Sequence, residues 1–156
     1  MQHVLSSFFH TPYGVPIFVV GIWCVACLAV SMMGGWSALA RRFRKQSDPT
    51  GETRSAGPWI YSISMRPGGN YNGVIRLIAA QDALYASVLA LLRPGHPPLR
   101  IPWNEITIGR SRRPWGKFVV LTLGSKEQIP MRISERMARE LGILDRIPAS
   151  PAAPSR

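Results

Sequence analysis

The sequence predicts one apolar, membrane-crossing N-terminal helix followed by a small mainly-β domain: about six antiparallel strands, curled into a sheet or partial barrel, with one C-terminal helix. Three observations predict this. Residues 1–40 contain no Asp, Glu, Lys or Arg, and Val15 to Met33 reads VPIFVVGIWCVACLAVSMM. Beyond Gly57 large apolar residues alternate with polar ones at period two, between clusters of Gly, Pro and Asn. After Ser134 the apolar spacing changes to that of a helix. The chain has 156 residues, enough for one small domain. Lys plus Arg is 19 against 8 for Asp plus Glu, a net charge of +11. With 46% apolar and only 17% charged residues, the composition disfavours a disordered basic tail. Two Cys argue against a disulfide scaffold.

The transmembrane helix is expected over residues 15–34, leaving 1–14 as a short N-terminus outside the cytoplasm. A bilayer core of ~30 Å needs about 20 helical residues. Nine of the nineteen residues from Val15 to Met33 are Val, Ile, Leu or Phe, contributing about −3 to −5 kcal/mol toward insertion. Pro16 falls in the first turn, where its missing N–H costs little. Trp23 lies mid-span rather than at an interface. A cleaved signal peptide would carry a basic n-region, and residues 1–14 have none. Arg41, Arg42, Arg44, Lys45 and Arg54 follow the span and no cation precedes it, which puts residues 41–156 in the cytoplasm. Cys24 and Cys27 share a helix face but complete no zinc site, and read as small apolar contacts.

Gly34-Gly35 interrupts the helix, and residues 35–45 form a basic amphipathic juxtamembrane segment. Trp36, Leu39 and Phe43 fall on one face, among Arg41, Arg42 and Arg44. This face either lies on the membrane, making Trp36, Arg41, Arg42, Phe43 and Arg44 interfacial, or packs on the domain. Residues 46–57 read as a polar tether. The β domain is expected over 58–147, with strands at 59–66, 74–79, 84–92, 99–108, 118–123 and 128–133. Pro102 predicts a bulge or an edge position, and residues 109–116 a basic loop. Ser134 caps a helix over 135–141, stopped by Gly142. The tail, 148–156, is expected to be disordered.

Short strands closed by one amphipathic helix resemble pleckstrin-homology-like and GRAM-like domains. Ala83-Leu84-Tyr85, the stretch from His96 to Ile106 (HPPLRIPWNEI) and Gly35 to Phe43 (GWSALARRF) resemble segments of small, uncharacterised, membrane-anchored bacterial proteins with a GRAM-like domain. Ala83 stands where Gly is more typical. The resemblance implies a structural motif at Pro102, Trp103, Glu105 and Ile106, with the aromatic and the Ile in the core. It also implies a bacterial inner-membrane setting. It implies no activity, since fold does not fix function.

Catalytic chemistry is not legible. The soluble part has no Cys and a single His, His96, read as structural or exposed at a turn. Asp82 reads as a turn former, and Glu105 as an acceptor of strand-end N–H groups or a partner for an Arg. No metal set, phosphate loop or dinucleotide fingerprint is present, and no cofactor is expected. The one patch that looks functional is Arg110, Arg112, Arg113, Trp115 and Lys117, suited to phosphate groups or an acidic partner; a merely solvated loop is its competitor. Nucleic acid is disfavoured, because the domain is tied to a membrane and lacks an aromatic-studded strand. The sequence therefore suggests a non-enzymatic, membrane-anchored binding or adaptor module for a protein partner or anionic lipid. The alternative is a structural accessory subunit of a larger membrane complex. Oligomeric state is not encoded in any recognisable pattern.

Overall fold

The computed structural model describes residues 13–57, 62–66, 69–113 and 116–146. Trp115, the 59–61 start of the first expected strand, most of the N-terminus and the tail lie outside the described residues. The first element, α1 (Gly14–Gly34), has 21 residues, about 31 Å at 1.5 Å per residue. It is the one helix among the described residues long and apolar enough to cross a membrane. Its charge-free surface stays largely exposed, from Tyr13 to Met33. Gly35 ends it with φ 83°, a left-handed conformation that residues with a side chain rarely adopt. A second helix, α2 (Trp36–Phe43), follows at once.

The β domain has two antiparallel sheets. The first has the order β1 (Arg54–Ala56), β4 (Ile75–Ala79), β5 (Ala83–Val88), β6 (Leu99–Pro102). The second has the order β3 (Asn70–Asn72), β2 (Ser62–Ser64), β9 (Ile129–Ser134), β8 (Gly116–Leu123), β7 (Ile106–Arg113). A short helix, α3 (Glu135–Glu140), closes the domain, its first turn capped by the Ser134 hydroxyl, which accepts from the Met137 N–H at 3.2 Å.

This corrects the expected single sheet of about six strands. The added strands are short and carry little periodicity. β1 ends the stretch read as a tether, and it pairs with β4 because Ala56 reaches the core. β3 is Asn-Tyr-Asn, polar in composition, yet Tyr71 is buried. The expected strand over 99–108 is divided. Pro102 ends β6, Trp103–Glu105 makes a 3-10 turn, and β7 starts in the other sheet. Proline has no N–H for the ladder, so the chain changes sheets there. Glu105 thus lies on a turn rather than a strand. The third expected strand stops at Val88, and Ala90–Leu92 is another 3-10 turn. The basic loop also changes character. β7 and β8 pair out to Arg113 opposite Gly116, so Arg110, Arg112 and Arg113 are strand residues near a hairpin end.

The core lies between the sheets, and α2 contributes Trp36, Leu39 and Phe43 to it. Leu39 is fully buried. Of the two readings of this face, packing on the domain is the one found, so Trp36 and Phe43 are not membrane-interface residues. The turn at Gly35 folds α2 back onto the domain, where its stripe buries against sheet side chains. Arg41 and Arg44 stay exposed.

A Leu39→Ala substitution should therefore cost about 2–5 kcal/mol of stability, as deletion of a core leucine does. Arg41→Ala, on the exposed face of the same helix, should stay within about 0.5 kcal/mol. Denaturant melts of the full chain in mild detergent distinguish the two. Equal, small effects would place α2 outside the core.

Candidate functional site

Two regions hold the residues singled out by the sequence: the junction of α1 and α2 with the sheets, and the end of the β7–β8 hairpin. At the junction, Trp36 donates its indole N–H to the Pro97 carbonyl at 2.9 Å. Its ring meets those of Tyr71 and His96 at centroid distances of 5.8 and 5.5 Å. The Tyr71 hydroxyl and His96 Nε2 are hydrogen-bonded at 3.0 Å. Both residues are buried. Burial pushes the Tyr71 phenol up to about 12 and the His96 imidazolium below its ordinary range. His96 is therefore a buried structural residue, held neutral.

α1 is built into the same junction. The Trp23 indole donates to the Leu91 carbonyl at 3.1 Å, and the Ser31 hydroxyl donates to the Gly95 carbonyl. Glycines let the backbones approach. A Cβ on Gly69 would stand 2.6 Å from the Gly34 Cα, and one on Gly95 would stand 3.2 Å from the Leu28 Cα. The face Trp23, Cys27, Ser31 and Gly34 thus looks toward the domain. An apolar groove of about 350 Å³ runs between Ala26, Cys27 and Val30 on one side and Val74, Leu92 and Tyr71 on the other.

Below α2 the carboxylate of Glu105 accepts from the Ser125 N–H at 2.8 Å and pairs with Arg42, which also reaches Glu127 at 3.5 Å. Arg42 is thereby engaged with the domain rather than with a membrane surface. The Ser125 N–H, aided by the Arg42 guanidinium, holds the Glu105 carboxyl below its ordinary range. Trp103 donates to the Ala80 carbonyl at 2.8 Å, under the Arg146 guanidinium at 4.3 Å from its ring centroid. Trp103 and Ile106 are only half-buried at the margin of the core. The residues Pro102 to Ile106 thus form a sheet-to-sheet corner with structural partners.

The remaining acid, Asp82, has its own set: Arg100 at 2.9 Å and the Tyr85 hydroxyl at 3.0 Å. Burial raises its carboxyl, but these two donors outweigh it and leave the group below its ordinary range. Asp82, Glu105 and His96 accordingly have separate partners and form no shared constellation. Among the described residues no three His, Cys, Asp or Glu gather as metal ligands. The Tyr85–Asp82–Arg100 set was not foreseen; its only sequence signal is an acid in a turn three residues before a tyrosine.

At the hairpin end, Arg110 and Lys117 are exposed. They line a shallow cleft of about 140 Å³ with Ser111, Phe118 and Glu135. The register sets Arg112 opposite Lys117 and Arg113 opposite Gly116. The structure therefore brings together Arg110, Arg112, Arg113 and Lys117 on one hairpin, while Trp36, Phe43 and Arg42 belong to the junction. No protein-family model, curated protein or solved structure matches this chain.

Two pH effects follow. Glu105 has a depressed carboxyl in the fold, so its contribution is present above the ordinary value of about 4.3 and is lost as pH falls through the folded value. Glu105→Gln should lower the melting temperature at pH 7, and the gap to the parent should shrink toward pH 3. His96 resists protonation in the fold, whereas an unfolded His takes a proton near pH 6.5. The parent should therefore lose stability as pH falls below about 6.5. His96→Gln should be less stable at pH 7 but lack that slope. Thermal melts across pH 3–8 test both, and parallel profiles for all three proteins would refute the assignments.

Proposed function

We propose that this chain is a single-pass, membrane-anchored, non-enzymatic binding module that presents its β domain on the cytoplasmic face of a bacterial inner membrane. The observation that carries the proposal is α1: a charge-free helix of about 31 Å with an exposed apolar surface on one side and the domain core built against its other end. Cations confined to positions after the span support the N-out, C-in orientation. Two antiparallel sheets closed by a C-terminal helix support a pleckstrin-homology-like or GRAM-like reading of the domain. The separate structural partners of Asp82, Glu105 and His96 support a binding role over a catalytic one.

The binding element is the β7–β8 hairpin end, and its ligand is an anionic lipid headgroup or an acidic surface of a partner protein. Each cation near an anionic membrane surface is worth about 1 kcal/mol. Arg110→Gln with Lys117→Gln should thus weaken binding of anionic lipid by roughly thirtyfold, measured by titrating phosphatidylglycerol into the detergent-solubilised full chain. Equal affinity in parent and variant would remove the lipid form and leave the protein partner.

A second reading, an accessory subunit of a membrane complex, draws on the far face of α1. Ile22, Val25 and Met32 are exposed there, and Gly21 has no atom within 4 Å of where its Cβ would be. Small and apolar faces of this kind pack against other membrane helices. A mild-detergent purification that yields a monomer with no co-purifying subunit would count against this reading.

A further inference from the structure

The mid-span position of Trp23 and the 3-10 turn it touches point to a second membrane contact. Trp23 lies eleven residues before Gly34, so it sits about 16 Å up the helix from its C-terminal end. The headgroup zone on each side of a bilayer is only about 5–7 Å deep. A span that ends near Gly34 therefore carries Trp23, and whatever touches it, into the hydrocarbon. What touches it is the turn Leu89-Ala90-Leu91-Leu92, through the indole N–H bond to the Leu91 carbonyl.

That turn has the chemistry such a position requires. All four of its residues are apolar, and the Leu91 side chain is 73% exposed, level with the most exposed apolar residues of α1. Several of its backbone groups are also bonded within the protein, which lowers the cost of a lipid setting. The Leu89 N–H bonds to the Val74 carbonyl at 3.1 Å, Leu92 N–H to Leu89 at 2.9 Å, and Arg93 N–H to Ala90 at 3.3 Å. The Leu91 carbonyl is taken by Trp23. Arg93, the first charged residue after the turn, is exposed, and its long side chain can reach phosphate while its stem stays in an apolar layer.

We propose that the Leu89–Leu92 turn enters the hydrocarbon beside α1 and seats the β domain against the bilayer, with Arg93 at the headgroup level. This rests on the reading of α1 as a membrane helix and deepens it. The domain is then a part-inserted body with a defined depth rather than a head on a tether. The wedge also places the mouth of the apolar groove between α1 and Val74 and Leu92 at the lipid boundary.

The test uses the full chain in phosphatidylcholine–phosphatidylglycerol vesicles, in a Cys24→Ala/Cys27→Ala background. Single cysteines at Leu91→Cys, Val20→Cys and Lys126→Cys carry an environment-sensitive NBD label, and doxyl-labelled lipids act as quenchers. The expected result is blue-shifted, lipid-quenched emission at positions 20 and 91 and neither effect at 126. Quenching at 20 with water-like emission at 91 would overturn the wedge while leaving the span intact. No quenching at 20 would overturn the span and, with it, the wedge. Blue-shifted emission at 91 without lipid quenching would show that protein, such as a second copy of the chain, covers the turn, and would also overturn the proposal. Leu91 is exposed, so its replacement leaves folding unchanged, which circular dichroism melts of the labelled proteins verify.

Discussion

The burial of Trp36 is the constraint on which the rest of the structure depends. One side chain closes three boundaries at once: the end of α1, the start of α2, and the loop that leads from Pro94 into β6. Its ring packs against Tyr71 and His96, and its indole N–H satisfies a loop carbonyl. The left-handed turn at Gly35 makes this geometry possible, because it ends one helix and begins the next without a spacer. An N-terminal apolar helix can hand over to a β domain through a flexible linker. Here the handover is made of core residues, and α2 continues into a backbone bridge between Arg44 and Leu99 at the edge of the first sheet.

Rigid attachment has a mechanical consequence. Helix and domain touch at Trp23, Leu28, Ser31 and Gly34, over nearly three turns, and the contacts rely on glycines at 34, 69 and 95 that leave no space for a Cβ. Close backbone approach of this kind fixes both the tilt and the rotation of a helix against its partner. The orientation of the β domain relative to α1 is then set by packing, and so is the direction in which the β7–β8 hairpin points from that helix.

The large features were legible in the sequence and the small ones were not, for identifiable reasons. A charge-free run, a capped terminal helix and the strands with clear alternation declare themselves through composition or period. β1 and β3 do not, since three residues give no period, and a buried tyrosine flanked by two asparagines looks like a turn. The stretch 99–108 has the composition of one strand, and only the missing N–H of Pro102 divides it between two sheets. The amphipathic stripe of α2 was visible, but amphipathicity shows that an apolar face must be covered, not whether lipid or protein covers it. For the candidate site, Glu105 was legible as an acceptor of strand-end N–H groups or a partner for an Arg, and the structure gives it both kinds of partner. Its actual donor, Ser125, lies on the next turn, and no local pattern announces that. The cations of the hairpin were visible as a cluster, whereas their pairing along a ladder required the register.

The charge balance gives the final step. Of the eight acids in the chain, Asp48, Asp82, Glu105, Glu127, Glu135 and Glu140 already hold ion pairs within the domain. Their partners are Arg42, Lys45, Arg100, Arg136 and Arg139. Six of the eight acids are thus engaged by structure, and the surplus of cations is left on residues such as Arg41, Arg44, Arg93, Arg110 and Lys117, all exposed. A surplus that internal pairing cannot neutralise must face water, counterions or an anionic surface. Solvent alone accounts for scattered cations, but a cluster on one hairpin repels itself and gains most from a concentrated anion. For the membrane-anchored module proposed above, a bilayer with anionic headgroups would supply that concentration. The same +11 on a free soluble domain would argue for nucleic acid; under the proposed anchoring by α1, it argues for an anionic membrane surface.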